Sequence, residues 1–215
     1  PFVLGKNEYR HKLFSFQAKR WGLPIAYVNQ VGGIDELIFD GNSVILDARG
    51  EVIAQARDFK EDLLIADVPL RGDPAPGAAT PAPTHLPRAG IASIHAALVL
   101  GIRDYARKCG FSKVVLGLSG GIDSAAVAAL SAEALGPANV LGVALPSRHS
   151  SGHSQADARA LAENLGILFR TIPIEEPHAA LEHVLEPLFA GMPEGLAEEN
   201  IQARLRGNIL MALSN

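Results

Sequence analysis

Apolar positions along the chain follow two rhythms, and their order predicts an α/β fold. Residues 7–22 place Leu13, Phe14, Ala18 and Trp21 at helical spacing, and Gly22-Leu23-Pro24 ends that helix. Residues 24–29 form a short apolar run expected as a buried strand. Residues 43–47 and 52–57, joined by Ala48-Arg49-Gly50-Glu51, predict a β-hairpin with glycine in its turn, and 63–68 one more strand. From residue 91 the rhythm changes. Ile91, Ile94, Leu98, Ile102 and Tyr105 form one stripe of a helix over 91–108. The apolar run 114–118 predicts a strand, followed at once by a glycine turn and a helix over 123–135. A strand over 140–145, a helix over 155–165, a strand over 167–174 and helices over 177–190 and 197–213 complete the pattern. Apolar strands separated by amphipathic helices predict a doubly wound, Rossmann-like parallel sheet covered on both faces. Ligands of such a sheet bind at the carboxyl ends of its strands.

The two rhythms are separated by residues 71–90, which are rich in Pro, Ala and Gly and supply little to bury. A linker is expected there, dividing a first domain over 1–70 from a second over 91–215. Composition narrows the classes further. The 215 residues are 48% hydrophobic with a formal net charge of −4, a mild acidic balance that argues against nucleic acid as a partner. No apolar stretch approaches the roughly 20 residues that span a bilayer, so no membrane is expected. The single cysteine, Cys109, leaves no internal disulfide and suits a reducing cytoplasm. The chain starts at Pro1 without a methionine and stops at Asn215 with a helical pattern still running, so it is expected to be a segment of a longer protein.

One stretch carries chemistry. Ser119-Gly120-Gly121-Ile122-Asp123-Ser124 lies between an apolar strand and an Ala-rich helix. Two glycines let backbone amides approach an anion, the helix start adds its positive dipole end, and Ser119 and Ser124 add hydroxyl donors. Asp123 cannot help bind a bare anion, so its presence points to Mg²⁺ bridging phosphates. The loop lacks the lysine of a Walker A motif and the spacing of a dinucleotide fingerprint. A tight turn with serine as helix cap is the plain alternative, and the complete motif makes it the weaker one.

This motif resembles the loop of the ATP-pyrophosphatase superfamily. Those enzymes cleave ATP between its α- and β-phosphates, adenylate an oxygen and let a nitrogen or sulfur nucleophile displace AMP. The resemblance implies ATP contacts from Gly117, Leu118, Ser119, Gly120, Gly121, Ile122, Asp123 and Ser124. Two further stretches, Leu145-Pro146-Ser147-Arg148-His149-Ser150-Ser151 and Glu199-Asn200-Ile201-Gln202-Ala203-Arg204-Leu205-Arg206-Gly207, are similar to NAD⁺ synthetases. Asn200 and Arg204, four apart on one helical face, would then contact deamido-NAD⁺. A solvated helix face is the plain alternative for Arg204 and Arg206, and the whole string makes it the weaker one. Pro1-Phe2-Val3-Leu4-Gly5-Lys6 and the stretch over 24–40 resemble the C-terminal part of a nitrilase-type α/β sandwich glutaminase, which implies a glutamine contact from Lys6. The pairing is that of the glutamine-dependent NAD⁺ synthetase family, with ATP, deamido-NAD⁺ and glutamine as substrates and assembly as a homo-oligomer. The family's Glu, Lys and Cys glutaminase triad lies upstream of this chain.

Two other readings are weighed against this one. Another ATP-pyrophosphatase amidotransferase, such as GMP synthetase, does not account for the helix around Asn200 or for the nitrilase-like first block. A non-catalytic adenine-nucleotide-binding module does not account for Asp123. Cys109 ends a helix and is expected as a partly buried structural thiol. His149 and His153 lack a third ligand for zinc. The carboxylate pairs Asp35-Glu36, Glu175-Glu176 and Glu198-Glu199 are expected as surface or caps.

Overall fold

A computed structural model describes residues 1–68, 85–148, 150–189 and 195–215. The chain divides into two compact units, Pro1–Tyr105 and Ala106–Asn215. Residues 71–84 of the expected linker, and His149, lie outside the described residues.

In the first unit, α1 (Lys6–Trp21) starts after Gly5 and stops at Gly22, both left-handed. The Leu23 amide closes the helix on the Ala18 carbonyl. The helix buries Ala18 and Arg10, and Phe14 packs on Tyr27 with ring centroids 4.8 Å apart. Leu13 and Trp21 of the expected stripe face solvent. Strands β1 (Ile25–Tyr27), β4 (Val44–Leu46) and β5 (Val52–Gln55) form an antiparallel sheet in the order β1-β4-β5. The β4–β5 turn is held by Asp47, whose carboxylate accepts from the amides of Arg49 and Glu51 and from Arg49 Nε, all at 2.9–3.0 Å. Burial would raise the Asp47 pKa, but these donors outweigh it and hold it below its ordinary value.

Strands β2 (Val31–Ile34) and β3 (Leu37–Asp40) form a hairpin that apolar alternation does not reveal, because Gly32 and Gly33 occupy the first strand. Beyond Asp62 the expected strand over 63–68 does not form; Leu63 and Ile65 are 84% and 86% exposed. An apolar run becomes a strand only where a neighbour takes its backbone hydrogen bonds, and none of the described strands pairs with it. The described end of the expected linker is anchored by the buried Asp58. Its carboxylate accepts from the Arg88 amide at 2.6 Å, pairs with the Arg88 guanidinium and meets His85 Nε2 at 3.2 Å.

Helix α2 (Gly90–Lys108) spans the division between the units. Its expected apolar stripe is not the buried one. Ile91 and Tyr105 are 79% and 61% exposed, whereas Ser93, Ala97 and Leu100 are buried. Small residues win this contact because the hairpin comes close. A methyl on Gly101 would sit 2.9 Å from Ile38 Cδ1, and Asp104 accepts from the Gly33 amide at 2.8 Å.

The second unit carries the parallel sheet. β6 (Val114–Gly117), β7 (Val140–Ala144) and β8 (Leu168–Thr171) lie in the order β6-β7-β8, all parallel. They alternate with α3 (Ile122–Leu135), α4 (Gly152–Leu165), α5 (Glu175–Phe189) and α6 (Leu196–Ser214). Val140 sends its side chain to a cluster with Leu118, Ala128, Ala132, Ala158, Ala162 and Ile167. Val143 points the other way, to Leu145, Ile174, Ile209 and Leu210. Both valines are fully buried, each contributing about 1.5–3 kcal/mol, so helices cover both faces of the sheet.

Candidate functional site

Strand β6 ends when the Leu118 amide bonds the Val143 carbonyl at 2.8 Å, and the loop Ser119–Ser124 begins at that carboxyl edge. Gly120 takes φ +79°, and a Cβ on it would lie 2.4 Å from the Ser154 carbonyl oxygen. Only glycine therefore lets the loop pass against the first turn of α4. Gly121 caps α3 without a side chain, leaving its first-turn amides no side-chain acceptor. The two serines brace the loop: their hydroxyls lie 3.1 Å apart, Ser119 Oγ accepts from the Gly121 amide and Ser124 Oγ donates to the Gly121 carbonyl. Ile122 and Asp123 are exposed at the helix start. The result is a free helix N-terminus preceded by a glycine turn, an arrangement suited to a polyanion.

Beside it opens a cavity of about 570 Å³, within the range of nucleotide and cofactor sites. Gly117, Leu118 and Ser119 line it from the loop side, Val143, Leu145 and Pro146 from the end of β7, Ser150, Ser151, Ser154 and Gln155 from the start of α4, and Arg206 and Leu210 from α6. Ser151 caps α4 by accepting from the Ser154 amide at 3.1 Å. Of the expected ATP residues, Gly117, Leu118 and Ser119 line this cavity, while Gly120, Gly121, Ile122, Asp123 and Ser124 continue the loop into α3 and do not line it. Asn200 and Arg204 are exposed on α6 and do not line it. Lys6 opens α1 in the other unit, its ammonium donating to the Pro1 carbonyl at 3.3 Å.

Sequence reasoning assigned no contact to Arg206 or to the serines opening α4, although Arg206, Ser150 and Ser151 lie in the stretches singled out by resemblance. Arg206 carried a readable signal, since it lies four residues before Leu210 and three before Ile209, on the apolar side of its helix. Cys109 is exposed, correcting the partly buried thiol expected for it. Glu175 holds Arg148 at 2.9 Å, a surface pairing of the kind expected for the carboxylates. Among the described residues no three His, Cys, Asp or Glu side chains gather as a metal site. Asp123 is exposed at the start of α3, which fits a Mg²⁺ held largely by ligand oxygens and water and does not fit an all-protein metal cage. Among the described residues no helix is long and apolar enough to cross a membrane.

A parallel sheet with a glycine loop and an uncapped helix start at the carboxyl end of a strand is the arrangement of a nucleotide-binding α/β domain. The NAD synthase family matches residues 94–215, more than half of the chain, and the carbon-nitrogen hydrolase family matches residues 8–72. The chain belongs to the NAD synthase family. It is 49% identical to the glutamine-dependent NAD(+) synthetase of a Synechocystis species and 46% identical to that of Rhodobacter capsulatus. Both likenesses cover 100% of this chain but only 38% and 39% of the relatives, so it spans about two-fifths of their length. Among solved structures it is similar to the glutamine-dependent NAD⁺ synthetase of Acinetobacter baumannii in complex with ADP. There the TM-score is 0.88 and the identity 40%, over 100% of this chain and 40% of that one. The ammonia-dependent NAD synthetase of Campylobacter jejuni matches 59% of this chain and 53% of its own at 28% identity, with a TM-score of 0.53.

Proposed function

We propose that the protein to which this chain belongs converts deamido-NAD⁺, ATP, glutamine and water into NAD⁺, AMP, pyrophosphate and glutamate. The observation that carries this reading is the uncapped, glycine-led start of α3 at the carboxyl edge of β6, opening on the cavity, in a chain similar along its full length to glutamine-dependent NAD⁺ synthetases. A nicotinate carboxylate oxygen attacks the α-phosphorus of ATP, the α–β phosphoanhydride bond breaks and pyrophosphate leaves. Ammonia from glutamine then attacks the activated carbonyl, loses a proton and displaces AMP.

The loop amides over 119–124 hold the departing pyrophosphate, and Gly117 and Leu118 support the nucleotide behind it. Asp123 would hold Mg²⁺, which supplies charge neutralisation on the phosphates when bound. Asn200 and Arg204 offer an amide and a fork on one exposed face of α6, suited to the dinucleotide, and Lys6 offers an ammonium for glutamine. The domains run as a nitrilase-like portion over 1–70, a linker over 71–90 and the synthetase portion over 91–215. The protein works as a cytoplasmic homo-oligomer, in keeping with a single unpaired cysteine and the family resemblance.

The test is pyrophosphate release by the full-length protein with ATP and deamido-NAD⁺, using glutamine or ammonium as nitrogen source. Release that depends on deamido-NAD⁺ supports the reading. Release that depends instead on a nucleotide such as XMP, or no release at all, overturns it.

A further inference from the structure

We propose that Arg206 binds the α-phosphate of the adenine nucleotide, a role distinct from those of the phosphate loop and of Arg204; this rests on the ATP site proposed above. Helix α6 has two working faces. Asn200 and Arg204 point to solvent, whereas Arg206 and Leu210 turn toward the strands. Leu210 Cδ1 packs over Gly117, at 3.4 Å from where a Cβ would stand, and Arg206 Nε donates to the Leu145 carbonyl at 3.1 Å. Those two contacts fix the guanidinium at the carboxyl end of β7.

Among the described residues the charge there has no counterpart. Among the described residues lining the cavity Arg206 alone is ionised; the others are hydroxyl, amide, glycine or apolar. No carboxylate pairs with it among the described residues. Other arginines in this chain are treated differently: Arg148 is held by Glu175 and Glu182, and Arg10 by Asp40. Half-burying a guanidinium without an anion carries a desolvation cost that a ligand anion would offset. With Nε committed to Leu145, the two terminal nitrogens form a fork that matches two oxygens of one phosphate.

Position selects the phosphate. The cavity runs from Ser119, where the loop begins, to Leu145 and Arg206. If the loop amides take the pyrophosphate, the next phosphate toward the nucleoside falls between Ser119 and Arg206. The nucleoside then lies against Leu118, Leu145 and Leu210. The α-phosphate is also the group that gains charge during adenylation and that stays with the AMP product.

The experiment measures binding of AMP, adenosine and pyrophosphate to the full-length protein by calorimetry, for wild type, Arg206→Ala, Arg206→Gln and Arg206→Lys. Loss of one charged hydrogen-bonding partner should weaken AMP roughly ten- to hundred-fold in Arg206→Ala, with adenosine and pyrophosphate unchanged. Arg206→Gln keeps an amide donor for packing at Leu145 without the charge and should show the same AMP-specific loss. Arg206→Lys should recover part of it. Equal losses for AMP and adenosine would mean that Arg206 only shapes the end of β7, a loss confined to pyrophosphate would move it to the loop's site, and no loss would overturn the proposal outright. Failure of the amidation reading appears separately, as absent deamido-NAD⁺-dependent pyrophosphate release in the wild type.

Discussion

Replacing Gly120 with alanine tests whether the loop geometry serves ATP. Two penalties act at that position. A Cβ at φ +79° costs about 1–2 kcal/mol by itself. The same methyl meets backbone, standing 2.4 Å from the Ser154 carbonyl oxygen and 2.8 Å from Ser154 Cα. A carbon–oxygen contact relaxes only near about 3.3 Å, so the loop must retreat by close to 1 Å from α4. A hydrogen bond stretched that far is lost. Each lost bond to a charged phosphate costs about 1.5–3 kcal/mol, or roughly ten- to hundred-fold in affinity. Gly110 supplies the control, because it also has φ +79° but nothing within 4 Å of its Cβ position. In the full-length protein, Gly110→Ala should lose about 1–2 kcal/mol of stability in urea denaturation and keep the wild-type ATP Kd. Gly120→Ala should lose more stability and at least one decade of ATP affinity by calorimetry. The reasoning fails if Gly120→Ala matches Gly110→Ala in stability and binds ATP as the wild type does.

Asp123→Asn should abolish most pyrophosphate release at ordinary Mg²⁺ while far-ultraviolet circular dichroism stays native; wild-type turnover would remove the metal role. Arg204→Ala, assayed with ammonium so that glutamine hydrolysis cannot limit the rate, should weaken deamido-NAD⁺ use roughly ten- to hundred-fold. ATP use should change far less, and equal losses for both would indicate misfolding. Asp47→Ala removes the acceptor of three hydrogen bonds in the β4–β5 turn and should destabilise the protein by about 1–3 kcal/mol at pH 7. Because the folded pKa of Asp47 lies below its unfolded value of 3.8, that difference is fully present above 3.8 and shrinks as pH falls through the folded value. A gap between wild type and variant that stays constant down to pH 2 would contradict the assignment.

The parts most readable in the sequence are those whose local and tertiary preferences agree. Val114 to Gly117 is apolar on both faces because both faces are covered, and the glycines after it are needed by the loop they form. The β4–β5 hairpin was marked by Gly50, which takes φ +75° in its turn. The β2–β3 hairpin stayed hidden because Gly32 and Gly33 show no side-chain alternation. They are there to let α2 approach, as the Asp104 bond to the Gly33 amide shows. The same closeness inverted the expected face of α2, since Ala97 and Gly101 fit where Ile91 and Tyr105 could not.

The sequence by itself determined the alternation of strand and helix and the place of the glycine loop between β6 and α3, because these depend on neighbours within a few positions along the chain. The tertiary structure alone decided that 63–68 finds no strand to pair with among the described residues, that Ser154 crowds Gly120, and that Arg206 rather than Arg204 turns into the cavity. Those outcomes depend on segments dozens of residues apart competing for the same space and the same hydrogen bonds. Helical periodicity says which residues share a face, but only packing says which face meets the sheet.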